Sequence, residues 1–228
     1  VTPGRLIYVY GIVDEAPADL GLGLEGAPLE AVAGPRAVAI VSAHERAPEA
    51  DEEALWQHEA VVERLMEDVV VLPMRFGATA AGPRQMEALL RSREEEFVGL
   101  LEVVRGAVEL SVRAELPVTD ASPAAARGAD AEPSGTEYMR DRGQALHAAE
   151  RAKERLHGPL KDLARRSLVL EAVGARGRSG AFRGAYLVDV GRVDAFAARV
   201  DGLARELEGD VSCTGPWPPY SFVAAAER

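Results

Sequence analysis

From 107 to 118 the chain alternates apolar and polar residues, Val108, Leu110, Val112, Ala114 and Leu116 against Glu109, Ser111, Arg113 and Glu115. Successive side chains of a strand point to opposite faces, so this period of two specifies a strand buried on one face only. The segments after it restrict the topology. A long helix is expected from about Glu137, with Met139, Leu146, Ala149, Leu156, Leu160 and Leu163 among its apolar positions. Gly158-Pro159 is expected to break or kink it. Leu168–Val173 reads as a strand, Gly174–Gly180 as a hairpin loop, and Ala185–Val190 as the returning strand. Val193, Phe196, Val200, Leu203 and Leu207 mark an amphipathic helix, and Asp210–Thr214 a closing strand. Strand, helix, strand, strand, helix, strand is the split βαβ order of the ferredoxin-like fold. The alternating strand therefore opens a second domain. The expectation is an α+β chain of two domains, a smaller α+β unit over 1–105 and a ferredoxin-like domain over 106–228. Residues 119–135 are small, polar and Pro/Gly-bearing, and are expected to be a mobile insertion in the second domain.

The first domain opens with a β-branched and aromatic strand at Leu6–Val13, in which Gly11 marks a bulge or a close backbone approach. Residues 14–30 read as a loop. Its Gly21–Gly26 run resembles a phosphate loop but lacks the tight strand before it and the helix after it. Ala37–Ser42 is a second strand. Asp51-Glu52-Glu53 places negative charge at the start of a helix reaching Glu67, with Leu55, His58, Val62, Leu65 and Met66 on one face. Val69–Leu72 is wholly apolar and mostly β-branched, which predicts a buried central strand that ends at Leu72 or carries Pro73 at its edge. Pro83 opens a further helix with an apolar stripe from Met86 to Val104, interrupted at Arg93, and Gly106 is its C′ residue.

Charge and composition narrow the function. With 228 residues, 47% of them hydrophobic, the chain can bury a full core. A formal charge of −11 argues against binding to nucleic acid or to an anionic membrane surface. A single cysteine, Cys213, leaves no internal disulfide and fits a reducing compartment. No apolar run approaches a membrane span and the N-terminus has no signal-peptide pattern, so the expectation is a soluble cytoplasmic protein.

Three places could carry a site. His58-Glu59 lies on the first helix, and Arg75-Phe76-Gly77 follows the apolar strand. An enzyme or small-ligand protein could set His58, Glu59 and Arg75 around an anionic substrate. The sequence supplies no nucleophile with an adjacent base and no second ligand at zinc spacing to support that chemistry. A histidine on an apolar face reads first as a buried residue with one hydrogen-bond partner. The third place is Gly215-Pro216-Trp217-Pro218-Pro219-Tyr220-Ser221-Phe222, stiffened by three prolines and carrying three rings. Such a segment is either pinned across the protein or held out to a partner, since interfaces favour aromatic anchors.

Taken in order, Tyr8–Ile12, His58-Glu59, Val71–Gly77, Ala185–Val188 and Gly215–Phe222 make the chain resemble the gas vesicle protein F/L family. The resemblance implies two α+β domains, the second ferredoxin-like. It also implies an accessory protein of gas vesicle formation, in the cytoplasm and associated with the vesicles. The partners implied are the small hydrophobic shell subunit and other gas vesicle proteins, with the chain a minor component or an assembly chaperone. No catalytic residue, cofactor or metal is implied. His58, Glu59, Arg75, Phe76, Trp217, Tyr220 and Phe222 are then expected to form the partner contact or to brace it, with Arg75 paired to Glu59 or to a C-terminal carbonyl. The F or L subtype and the oligomeric state stay open.

Overall fold

The computed structural model describes residues 6–117, 150–151, 153–170, 179–207 and 210–223. The chain divides into two compact units, Val1–Glu109 with Pro216–Arg228, and Leu110–Gly215. The C-terminal segment thus belongs with the first unit, whereas the order of elements along the chain assigns it to the second. A count of elements cannot show where a terminus docks.

In the first unit the elements are β1 (Leu6–Val13), β2 (Leu29–Ala33), β3 (Val38–His44), α1 (Glu52–Asp68), β4 (Val71–Pro73), β5 (Thr79–Ala80), α2 (Pro83–Ser92) and α3 (Glu94–Val104). The sheet runs β2-β3-β1-β4, with β5 also on β1, and its pairs are antiparallel. β1 is buried along almost all its length because both faces are covered. Tyr8, Tyr10 and Val13 pack with Val61, Val62 and Leu65 of α1. Val9 and Ile12 share a cavity wall with Met86 of α2 and Phe97 of α3.

Gly11 lies where the sequence predicts a bulge. Val9 faces Val41 while Gly11 faces Ile40, so Tyr10 is the extra residue. A Cβ on Gly11 would stand 2.9 Å from Val71 Cγ1 and 3.0 Å from the Leu72 carbonyl oxygen, so the close approach is there too.

Four readings of this unit are corrected. β4 is buried but lies at the sheet's end rather than its centre. Its burial comes from α1, α3 and the C-terminal turn packed on it. An edge position also suits Pro73, which cannot donate to a ladder. β2 falls at the end of the expected loop, where only Leu29 and Val32 are buried and flanking Gly and Pro hid the strand. Leu55 is 45% exposed, and the buried stripe of α1 is His58, Val61, Val62 and Leu65. Asp51 caps that helix by accepting the Ala54 N–H at 2.8 Å. The expected helix from Pro83 is two, broken at Arg93, and Gly106 after α3 has φ +66°, the left-handed C′ geometry expected of it.

In the second unit β6 (Ala107–Pro117) is followed by α4 (150–151 and 153–161), β7 (Arg166–Leu170), β8 (Ser179–Asp189), α5 (Val193–Leu207) and β9 (Asp210–Trp217). The sheet order is β7-β8-β6-β9, which with this element order is the split βαβ arrangement. Leu110, Val112 and Ala114 meet Leu156, Leu160, Tyr186, Phe196 and Val200 in its core. α4 runs through Gly158-Pro159 to residue 161, so this pair does not break the helix. Pro159 has no N–H for the residue 155 carbonyl, so it costs the helix one bond, and only two helical residues follow it. The expectations for 119–135, for the helix before 150 and for most of the 174–180 loop lie outside the described residues. The closing strand reaches Trp217, past the expected end at Thr214, and a short turn of helix, α6 (Tyr220–Val223), follows. The Pro-aromatic segment is therefore half strand and half helical turn.

Candidate functional site

The bulge in β1 prepares the site. β4 pairs with residues 11–13 of β1 and β5 with Ile7 and Tyr8, so residues 74–78 cross between the two pairings. Met74 N–H donates to the Tyr10 carbonyl and Val9 N–H to the Ala78 carbonyl, each at 2.9 Å. Gly77 turns the chain at φ +90°, a conformation that side-chain-bearing residues rarely adopt. Arg75 and Phe76 are thereby carried on a short loop braced at both ends.

His58 projects from α1 to the inner side of this loop and is 1% exposed. Its Nε2 lies 2.9 Å from the Met74 carbonyl, which can only accept, so Nε2 carries the hydrogen. Nδ1 therefore accepts from the Tyr8 hydroxyl at 2.9 Å. That hydroxyl in turn accepts the Gly77 N–H at 3.2 Å. Burial holds the imidazole below its ordinary pKa, with the Met74 carbonyl pulling the other way. The ring is neutral at pH 7 and stacks on Tyr10 at 5.6 Å, with Tyr8 and Phe76 edge-on.

The C-terminal segment completes the cluster. Pro218 and Pro219 are buried, Phe222 is 8% exposed and Val223 1%. The Tyr220 hydroxyl reaches His58 Nε2 at 3.3 Å and is hydrogen-bonded with the Glu59 carboxylate. With Nε2 already protonated, the hydroxyl hydrogen goes to Glu59. Ser221 donates its N–H at 2.8 Å and its hydroxyl at 2.7 Å to the two oxygens of Glu109. Glu109 is buried, against the outward place that strand alternation gives it. Burial raises the Glu109 carboxyl, offset in part by the two Ser221 bonds. Burial likewise raises Glu59, which the Tyr220 bond lowers and the Glu63 charge raises further.

Five of the seven expected residues, His58, Glu59, Phe76, Tyr220 and Phe222, thus lie in or beside one cluster that pins the C-terminal turn. Arg75 and Trp217 are exposed, Trp217 by 45%. Glu59, on the inner side of the same loop, is engaged by Tyr220. The far side of the Arg75-Phe76 loop borders a cavity of about 430 Å³ lined by Val9, Ile12, Met74, Phe76, Met86, Leu89 and Phe97, with Arg75 and Arg93 also on its wall. Arg93 is held over the Phe97 ring and paired with Glu96 at 2.6 Å.

A second buried network escaped the sequence reading. Leu24 N–H donates to the Tyr10 hydroxyl at 2.8 Å, Tyr10 meets Ser42 Oγ at 2.9 Å, and Ser42 Oγ meets His44 Nε2 at 2.7 Å. His44 Nδ1 faces Glu25 at 3.4 Å. The order serine, histidine, carboxylate resembles a hydrolytic triad, but Ser42 is fully buried and sits between two bonded neighbours. Its evident work is to tie the 24–26 turn to the sheet. Tyr8 and Tyr10 could have been read from their i, i+2 spacing on one strand face. Glu109 and Glu25 gave no signal. Among the described residues no three His, Cys, Asp or Glu side chains are placed to hold a metal ion, and no helix is long and apolar enough to cross a membrane.

These features define a class, a two-unit α+β protein whose aromatic C-terminus is locked into its first unit. Residues 6–224 match the family model described as gas vesicle synthesis protein GvpL/GvpF, and the chain belongs to that family. It is 34% identical to gas vesicle protein L of Streptomyces sp. (strain CB03234) over 77% of this chain and 71% of that one. It is 28% identical to gas vesicle protein F1 of Halobacterium salinarum over 95% and 92% of the two chains. The crystal structure of GvpF from Anabaena sp. PCC7120 shares the fold, with a TM-score of 0.80 at 18% identity over 96% of each chain. That from Microcystis aeruginosa does so at 0.78 and 18%.

Proposed function

We propose that this protein serves gas vesicle formation by binding other gas vesicle proteins, above all the small hydrophobic shell subunit, and that it acts by contact rather than by catalysis. Family membership supports the setting. The observation that carries the mode of action is the state of His58, whose two ring nitrogens are both engaged by groups of the chain itself. A base so enclosed offers no lone pair to a substrate, and Glu59 and Glu109 are spent on the C-terminal turn. What the unit leaves outward is suited to contact: the Trp217 ring, Arg75, and the apolar cavity beneath Phe76.

A shell subunit whose assembled face excludes water exposes that face before assembly, and such patches aggregate. A carrier that covers it reversibly, and is itself strongly acidic, keeps both in solution. In this reading Phe76 and Trp217 meet the shell subunit, while His58, Glu59, Tyr220 and Phe222 hold the surface that presents them. The protein works in the cytoplasm beside growing vesicles. The test is co-expression with the shell subunit followed by affinity capture. Trp217→Ala and Phe76→Ala in folded protein should each reduce the captured, soluble shell subunit by about tenfold, the loss of one aromatic anchor. Undiminished capture by both variants overturns the contact.

A further inference from the structure

The outward face of α1 is built unlike the rest of the first unit. Trp56 stands 69% exposed on it, the most exposed of the chain's large hydrophobic side chains among the described residues. Its position is opposite the buried stripe, since Leu65 falls half a turn away at 3.6 residues per turn. Along the same strip lie Glu52, Glu63 and Glu67, flanked by Glu53 and Glu59. From Glu52 to Glu67 the strip is about 22 Å long at 1.5 Å per residue.

Two costs are carried on this face. Glu59 and Glu63, and Glu63 and Glu67, are like charges four residues apart, which destabilises a helix. The Glu63 charge raises the Glu59 carboxyl. Among the described residues no lysine or arginine pairs with any of these carboxylates. The one arginine of α1, Arg64, gives its guanidinium to the Leu20 and Leu22 carbonyls instead. The Trp56 ring meets no other ring and its N–H no acceptor among the described residues.

We propose that this face is a docking surface for a lysine- and arginine-bearing amphipathic helix of a partner protein, with Trp56 as its central anchor. Tryptophan offers the best face for a cation, and the surrounding carboxylates complement a basic strip of the same length. The sign of the charge rejects nucleic acid and anionic lipid. The surface differs from the Phe76–Trp217 contact, and the inference stands or falls independently of it.

In a Trp217→Phe background Trp56 is the one indole left of two, so its emission reports the site. The probe is a synthetic leucine–lysine amphipathic peptide of about five helical turns, set against the same peptide with glutamate for lysine. At about 0.15 M salt the basic peptide should shift Trp56 emission saturably, and the acidic one should not. Glu63→Lys with Glu67→Lys, both exposed positions that suit lysine in a helix, should weaken binding by about tenfold or more. Trp56→Ala, followed with a labelled peptide, should do the same. With Trp217 kept in place, capture of the shell subunit should be unchanged by the Glu63, Glu67 and Trp56 substitutions. Equal binding of the acidic peptide, undiminished affinity in the charge-reversed variant, or no saturable binding at that salt overturns the proposal. So does a loss of shell-subunit capture with peptide binding intact, which would make this face part of the other contact. Self-association of the protein through Trp56, lost in Trp56→Ala, would make a second copy the occupant and overturn it too.

Discussion

At the scale of single residues the first unit is governed by polar groups that have no water to turn to. His58 is the clearest case, because it satisfies the Met74 carbonyl, the Tyr8 hydroxyl and, more loosely, Tyr220 at once. His58→Leu keeps an apolar side chain of similar size and orphans the first two. Each orphan costs about 1–3 kcal/mol, so urea unfolding should show a loss of about 2–6 kcal/mol with little change of slope. Glu109 makes a prediction in pH. Its carboxyl is raised by burial in the folded chain, so the folded state holds the proton more tightly than the unfolded one. The stability it contributes is complete below the ordinary carboxylate pKa and is lost as pH rises through the raised value. Glu109→Gln can still accept the Ser221 N–H and has no charge to bury. It should match the parent near pH 4 and exceed it in melting temperature near pH 8, a range the carboxylate titration spans. His58 works in the opposite sense. Its lowered pKa gives stability present above the ordinary imidazole pKa and lost as pH falls below it, so the acid limb should flatten in His58→Leu.

At the scale of elements the bulge in β1 is the decisive feature. It parts β4 from β5 and so creates the crossing that holds Arg75 and Phe76. Gly11→Ala would press a methyl onto the Leu72 carbonyl at 3.0 Å, and backbone cannot swing aside as a side chain can. A cost of about 1–3 kcal/mol is expected, read as lost hydrogen-exchange protection in β4 and at the Met74 amide. This element was legible in advance, because a glycine weakens a β-branched strand and is kept there chiefly for a bulge or a tight approach of backbone. The second unit was legible for a similar reason, since clean periodicities at β6 and α5 fix a topology that few other orders share. β2 and the edge position of β4 were not legible. Burial of β4 comes from helices and a C-terminal turn that no local pattern announces, and a fully apolar run looks the same at the edge of a sheet as at its centre. The site divides in the same way. His58, Phe76 and Tyr220 stood out by type, while Glu109 looked like any outward residue of an alternating strand until Ser221 was found on it.

At the scale of the whole molecule the question is which surfaces are architecture and which are contact, and the two answers separate by experiment. Tyr220→Phe removes one hydroxyl from a half-buried turn and leaves the Glu59 carboxylate without its donor. A hydrogen bond to a charged group contributes about 1.5–3 kcal/mol, so stability should fall by that order. Capture of the shell subunit should fall only as far as the folded fraction does, because the ring and the turn are otherwise intact. Arg75→Glu and Trp217→Ala act the other way. Both residues are exposed, so their substitution should cost less stability than the loss of the Tyr220 bond, about 1 kcal/mol at most. Their melting curves should stay close to the parent's while soluble shell subunit is lost. Arg75→Glu also adds to a chain already at −11. If its effect were only bulk charge, restoring about 0.15 M salt would erase it, whereas a local contact beside the apolar cavity survives that screening. The informative outcome is the pairing of the two measurements, stability lost with capture kept in the turn, and capture lost with stability kept at the surface. The reverse pairing would place the partner contact on the C-terminal turn itself and leave Arg75 and Trp217 as bystanders.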